Sequence, residues 1–119
     1  MLKDAEARNY AIPSINTPNQ ISLRAVIAAA EDTGVPVTLN HAQTENDHIP
    51  IEIAFPLMSE YAKNSKAALA VHVDHGYDLT HCMKAVRLGA TSIMYDCSRF
   101  PLEENIRRVK EFTELVHPL

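Results

Sequence analysis

The sequence predicts an α/β fold of four strand–helix units in series, with parallel strands joined by right-handed crossovers. Three observations carry this. Short stretches of period-2 alternation recur four times, each followed by apolar residues at helical spacing. Capping and breaking residues separate the two patterns: Pro18, Gly34, Asp78, Gly89 and Pro101. Polar residues also collect at the C-terminal end of each alternating stretch: Asn16, Asn40, Asp74 and Asp96. If the strands lie parallel, these four ends share one rim, the arrangement of an active-site face. Turn chemistry alone also enriches Asn and Asp at such positions.

The first unit begins after an amphipathic turn, Met1 to Glu6. Tyr10 to Asn16 reads as a short strand, with Pro13 costing a ladder donor. Thr17 as cap, Pro18 at the first helical position and Gln20 three after the cap then start a helix. Leu23, Val26, Ile27 and Ala30 form its stripe, and Gly34 ends it. The second strand runs from Val35 to Asn40, with Val35, Val37 and Leu39 opposite Thr38 and Asn40. A polar loop, Gln43 to His48, follows. The next helix begins between Pro50 and Leu57, and Pro56 is expected to split off its first turn. Ala54, Leu57, Met58 and Tyr61 make its apolar stripe.

The third strand, Leu69 to Gly76, places Leu69, Val71 and Val73 in one register and Ala70, His72 and Asp74 in the other. Asp78 caps a helix carrying Leu79, Cys82, Met83 and Val86, which stops at Gly89. Thr91 to Asp96 is the fourth strand, with Ser92, Met94 and Asp96 in one register. Pro101, Glu103 and Glu104 open the last helix, where negative charge suits the helix dipole. Its stripe is Leu102, Ile106, Val109, Phe112 and Val116.

The 119 residues read as one domain, 1–119, large enough for a core. A net charge of −4 leaves no basic stripe to meet phosphates, so nucleic acid is not an expected partner. No apolar run is long enough to span a bilayer, and no signal peptide is evident. The two cysteines fit a reducing, cytoplasmic compartment. Cys82 reads as a helix core position and Cys97 as a strand end, so no disulfide is expected between them.

The chemistry concentrates where the third strand ends. Asp74 and His75 stand at a strand C-terminus followed by Gly76, the place where α/β enzymes put catalytic groups. A lone histidine more often caps a strand or bonds to backbone than binds metal. His72 shares the register of Asp74, as its partner or as a satisfied core histidine. His41, just beyond the second strand, is a weaker candidate to reach the same rim as a second ligand. His48, His81 and His117 read as loop or helix surface, and Arg107 and Arg108 as a solvated helix face.

Val71-His72-Val73-Asp74-His75-Gly76 resembles the third-strand motif of the class II, metal-dependent ketose-bisphosphate aldolases. Gly89 to Ser98 is similar to that family's fourth strand, Pro101 to Ile106 to the start of its fourth helix, and Asn9 to Asn16 to its first strand. The resemblance implies the first half of a TIM (β/α)8 barrel, four βα units with helices outside. A full barrel takes roughly 250 residues, so the chain reads as a truncation, a fragment or a half that needs another half. The implied activity is reversible aldol cleavage of a fructose- or tagatose-type ketose bisphosphate to dihydroxyacetone phosphate and an aldehyde phosphate, in carbohydrate metabolism.

By the same resemblance, Asp74 is the catalytic acid–base, His75 one of three histidine ligands to Zn2+, and Asp96 lies at reach of an alternative metal position. Helix capping remains open as the role of Asp96. Asn16 matches an asparagine near the sugar-phosphate substrate. The other two zinc histidines, the fifth-strand acid and the glycine-rich phosphate loops would lie beyond the stretch that matches, so the isolated chain is expected to be inactive. Ala42 stands where relatives carry a small hydroxyl residue near the phosphate, a contact left to Thr44 if it is made at all. Cys97 replaces the usual Gly or Ala. An alternative is a non-catalytic half-barrel whose open strand edges drive homo-oligomerisation or docking on a complementary half.

Overall fold

Four parallel strands stand side by side in chain order, β1-β2-β3-β4, as the repeated strand–helix pattern predicts. The structure is a computed structural model, and it describes residues 1–118. Its elements are α1 (Leu2–Arg8), β1 (Ser14–Asn16), α2 (Gln20–Thr33), β2 (Val37–Ala42), α3 (Ile51–Asn64), β3 (Leu69–Gly76), α4 (Leu79–Arg87), β4 (Ser92–Tyr95) and α5 (Leu102–Val116). A short 3-10 turn, Gln43–Glu45, links β2 to α3.

Several boundaries differ from the sequence-based expectation, each for a local reason. The amphipathic turn at the N-terminus is a two-turn helix, α1, closed by Asn9 in the left-handed conformation. β1 begins after Pro13, which has no N–H to donate and serves only through its carbonyl, bonded by Thr38 N–H at 2.9 Å. Thr17 does not cap α2. Asn19 does, its side chain accepting from Ser22 N–H while the Ser22 hydroxyl answers the Asn19 backbone. Thr17 is instead buried, its N–H bonded to the Asn40 carbonyl at 3.1 Å.

β2 starts beyond Pro36 and continues to Ala42, which leaves Asn40 inside the sheet instead of at its tip. Pro56 does not break α3: it lies one turn inside the helix on an exposed face, and the carbonyl it leaves unpaired belongs to exposed Glu52. α4 closes at Leu88, followed by Gly89 at φ 104°, and β4 is shorter than expected at both ends.

One face of the sheet carries the core. Val37, Leu39, Val71 and Val73 pack against Leu23, Ile27 and Ala30 of α2, Ile51, Ala54, Phe55 and Met58 of α3, and Ala85 of α4. These residues are almost fully buried, and removing their apolar surface from water is the main force fixing the layers. The last helix is held more lightly, by Phe112 against the Tyr95 ring at 4.9 Å.

The other register is polar. Asn16, Asn40, His72 and Ser92 lie level across the four strands, and Ala42 and Asp74 lie level one step further toward the strand ends. Along this belt, Ser14 Oγ donates to Asn40 Oδ1 at 2.9 Å, and His72 Nδ1 meets Ser92 Oγ at 2.9 Å. The expected two-sided strand is therefore present, apolar toward the helices and polar on the opposite face.

Register breaks at one place. Val73 pairs with Ile93, but the next partners are Gly76 and Tyr95. β3 takes three steps where β4 takes two, so one extra residue is accommodated as a bulge. His75 occupies that bulge with φ 52°, in the left-handed region that non-glycine residues rarely enter. Gly76 follows because a Cβ there would collide with Cys82 Sγ behind it.

Candidate active site

The bulge sets the site. In an unbroken strand Asp74 and His75 would face opposite ways. The left-handed turn at His75 brings its ring round, so that Nε2 lies 3.9 Å from Asp74 Oδ1. Asp74 is half-buried and projects from the polar register of β3.

The other ring nitrogen is fully committed. His75 Nδ1 lies 2.6 Å from Asp96 Oδ2. Asp96 is 6% exposed, and its second oxygen accepts from Ser98 N–H at 2.9 Å. Hydrogen bonds from the Ser98 side chain, the His75 ring and the Ser98 backbone bring its carboxyl down to about 2. An ionised carboxylate only accepts, so Nδ1 carries the proton and Nε2 is left for another partner. The Asp96 bond, aided by the nearby Asp74 charge, raises the His75 pKa against the lowering effect of burial. The Tyr77 ring stacks alongside, 6.1 Å from the imidazole centroid. Asp96 N–H also bonds to the Gly76 carbonyl at 2.9 Å, so the ends of β3 and β4 are tied by backbone and side chain together.

The structure therefore brings Asp74, His75 and Asp96 together. Asn16 stands apart at the end of β1, exposed, its side-chain N–H donating to Glu45 Oε1 at 3.3 Å. The other Glu45 oxygen accepts from Ala42 N–H at 3.2 Å. Glu45 and Tyr77 were not singled out from sequence. Both act through geometry, a 3-10 turn and a ring stack, that no periodicity announces.

His72 is half-buried beneath Asp74, and burial lowers its pKa against the pull of Asp74. His41 does not reach the rim. It lies in the core-facing register opposite Val73, fully buried, with Nε2 2.9 Å from the Ile49 carbonyl and its ring edge-on to Phe55. His81 is not a surface residue either: it is half-buried on α4, and its Nε2 has no partner among the described residues. His48 and His117 are exposed, as expected. Ala42 is buried and Thr44 exposed.

Cys82 and Cys97 are both buried and free, and burial raises the Cys82 thiol to about 12. Arg107 and Arg108 both bind Glu104, which answers their expected surface role, and Arg108 also lies over the Phe100 ring at 4.1 Å.

The family model for class II fructose-bisphosphate aldolase matches residues 1–119. The chain belongs to that family. Among solved structures, the YdjI aldolase from Escherichia coli K12 is 33% identical and superposes with a TM-score of 0.94, over 98% of this chain and 45% of that one. A putative fructose-1,6-bisphosphate aldolase from Coccidioides immitis is 26% identical with a TM-score of 0.86, over 95% of this chain and 44% of that one. The chain thus spans a little under half the length of these aldolases. Its sheet and helices are the first half of their α/β barrel.

Among the described residues, no group of three or more His, Cys, Asp or Glu side chains is arranged to hold a metal ion. The donor chemistry fits one ligand's share of a zinc site: a single imidazole, its far nitrogen held by a buried carboxylate, as in carboxylate–histidine–zinc arrangements. It does not fit a whole site, which takes three protein ligands. Asp96 is occupied in holding His75, which favours orientation over the expected metal contact. No helix among the described residues is long and apolar enough to cross a membrane.

The pair gives a pH signature. His75 is raised from 6.5, so its share of stability is complete below that value and is lost as pH rises through the folded pKa. Asp96 is lowered from 3.8, so its share is complete above that value and is lost as pH falls toward about 2. The pair therefore stabilises most between pH 3.8 and 6.5. In Asp96→Ala, an NMR titration is expected to find the His75 pKa lower than in the parent, and denaturant midpoints are expected to lose this maximum. An unchanged His75 pKa would contradict the assigned bond.

Proposed function

We propose that this chain supplies the acid–base and one metal ligand of a class II aldolase, acting in reversible cleavage of a ketose bisphosphate to dihydroxyacetone phosphate and an aldehyde phosphate. The observation that supports it most is the pairing at the bulge. Asp74 stands beside a His75 whose Nδ1 is locked on buried Asp96 and whose Nε2 is left for another partner. Asp74 is the group to take the C4 hydroxyl proton in cleavage and return one in condensation. His75 is the ligand to Zn2+, which when bound polarises the ketose carbonyl and stabilises the enediolate. Asp96 fixes the tautomer and aim of His75. Asn16, at the same end of the sheet, is the substrate contact on β1. Among the described residues no set of three ligands forms, so the stretch 1–119 by itself is expected to have little or no activity.

Joining the chain to the complementary part of the Escherichia coli YdjI aldolase gives the direct test. The chimera is expected to release a triose phosphate from a ketose bisphosphate. Asp74→Asn is expected to slow it by about 100- to 10,000-fold, the usual weight of a positioned proton-transfer group. A chimera that cleaves equally well with Asn at position 74 would refute the assignment.

The open edges support a second reading, of a half-barrel built to dock. β1 and β4 each pair on one side only within this sheet. An apolar groove of about 410 Å3, lined by Ile15, Val26 and Val37 among others, flanks β1. A second groove of about 650 Å3, of mixed character, lined by Ile93, Phe112 and Val116 together with Thr91, Ser92 and Thr113, flanks β4. Unpaired edges beside apolar surface invite pairing, here with a second copy or a complementary half. Sedimentation equilibrium over a range of concentrations is expected to show self-association, and a monomer at every concentration would remove the homo-oligomer from consideration.

A further inference from the structure

The left-handed bulge at His75 has to be held by its surroundings, because a non-glycine residue does not keep that conformation unaided. Asp96 holds it from the β4 side. On the β2 side stands Gln43, the first residue of the 3-10 turn. Its Oε1 accepts from Tyr77 N–H at 2.8 Å and from Asp78 N–H at 3.1 Å. Both partners are donors, so the amide oxygen, not the nitrogen, must face them.

These two residues come directly after the bulge. The Tyr77 ring stacks on His75, and the Asp78 side chain caps α4 through Thr80 N–H at 2.9 Å. The Tyr77 peptide is also approached from its other side by Arg99 Nη2, 3.4 Å from its carbonyl. Gln43 itself is braced. The next-but-one residue, Glu45, bonds back to Ala42 N–H and across to Asn16. One short turn thus connects the ends of β1 and β2 to the segment that leaves β3.

We infer that Gln43 is a positioning residue for His75: its side-chain oxygen clasps the Tyr77 and Asp78 amides and so keeps the imidazole seated on Asp96 with Nε2 facing Asp74. The clasp acts through the backbone and touches neither metal nor substrate. It rests on the reading of His75 as the metal-bearing residue for its purpose, but not for its geometry. A test that reads the ring in this chain separates the two: if the clasp fails, the aldolase reading stands, and if the chimera is inert, the clasp stands.

The test compares Gln43→Leu, which keeps the bulk and removes the acceptor, with Gln43→Glu, which keeps an acceptor oxygen. Proton NMR follows exchange of the His75 Nδ1 proton, with global stability measured separately. Gln43→Leu is expected to speed that exchange by about tenfold, equivalent to about 1.4 kcal/mol, and Gln43→Glu to leave it near the parent rate. A loss of global stability alone, with the Nδ1 proton unmoved, would be a structural role only and would overturn the proposal. Equal acceleration by both variants would overturn it too. Should Gln43→Leu fail to fold, native-state exchange in the parent decides. The Tyr77 and Asp78 amides must then open together with the His75 ring, and independent opening refutes the clasp.

Discussion

An extra residue in β3 is the constraint on which the rest of this site depends. Parallel strands alternate their side chains strictly, and consecutive residues cannot share a face. Between Val73 and Gly76 that rule is suspended: β3 gains one residue on β4, and His75 takes a left-handed turn to absorb it. The consequence is chemical. An acid from the polar register and an imidazole from the adjacent position reach the same rim, 3.9 Å apart.

Such a backbone costs about 1–3 kcal/mol and persists only where neighbours determine it fully. Here they surround it. Asp96 accepts the hydrogen bond of His75 Nδ1–H, its own N–H donates to the Gly76 carbonyl, and Cys82 presses close behind Gly76. Behind all of these lies the aliphatic face of β2 and β3, sealed against three helices. The core keeps the strands in register, the register places the bulge, and the bulge aims the histidine. The hydrogen bond that one buried carboxylate accepts from Nδ1–H then settles which nitrogen is offered outward. The polar face is left partly open at β1 and β4, as befits a chain that spans less than half of the aldolases it superposes on.

Much of this was legible in the residues. The four strand–helix units follow from two periodicities and their breakers, and the class II aldolase family follows from the third-strand motif and its neighbours. What escaped was local. Pro56 reads as a helix breaker, but near a helix N-terminus and on its exposed side the missing bond is cheap. Thr17 and Asn19 are both able caps, and the Asn40 carbonyl, by claiming Thr17, decides between them. His41 looks close to the rim in sequence, yet the period of two places it among the helices. The bulge was illegible for a deeper reason. No side chain in Asp74-His75-Gly76 demands a left-handed histidine, and only the tertiary partners Asp96, Cys82 and Gln43 impose it. The pairing of Asp74 with His75 was therefore available from resemblance, while its geometry was not available from pattern.

The backbone of His75 is where the account is most exposed. In the uniformly 15N-labelled chain, the intraresidue NOE between the His75 amide and α protons reads the sign of φ, and the ring nitrogen shifts read the tautomer. A left-handed His75 with its proton on Nδ1 is the predicted result. An extended His75, or a neutral ring protonated on Nε2, would mean that the imidazole is not aimed beside Asp74, and the proposed catalytic pair would lose its structural basis.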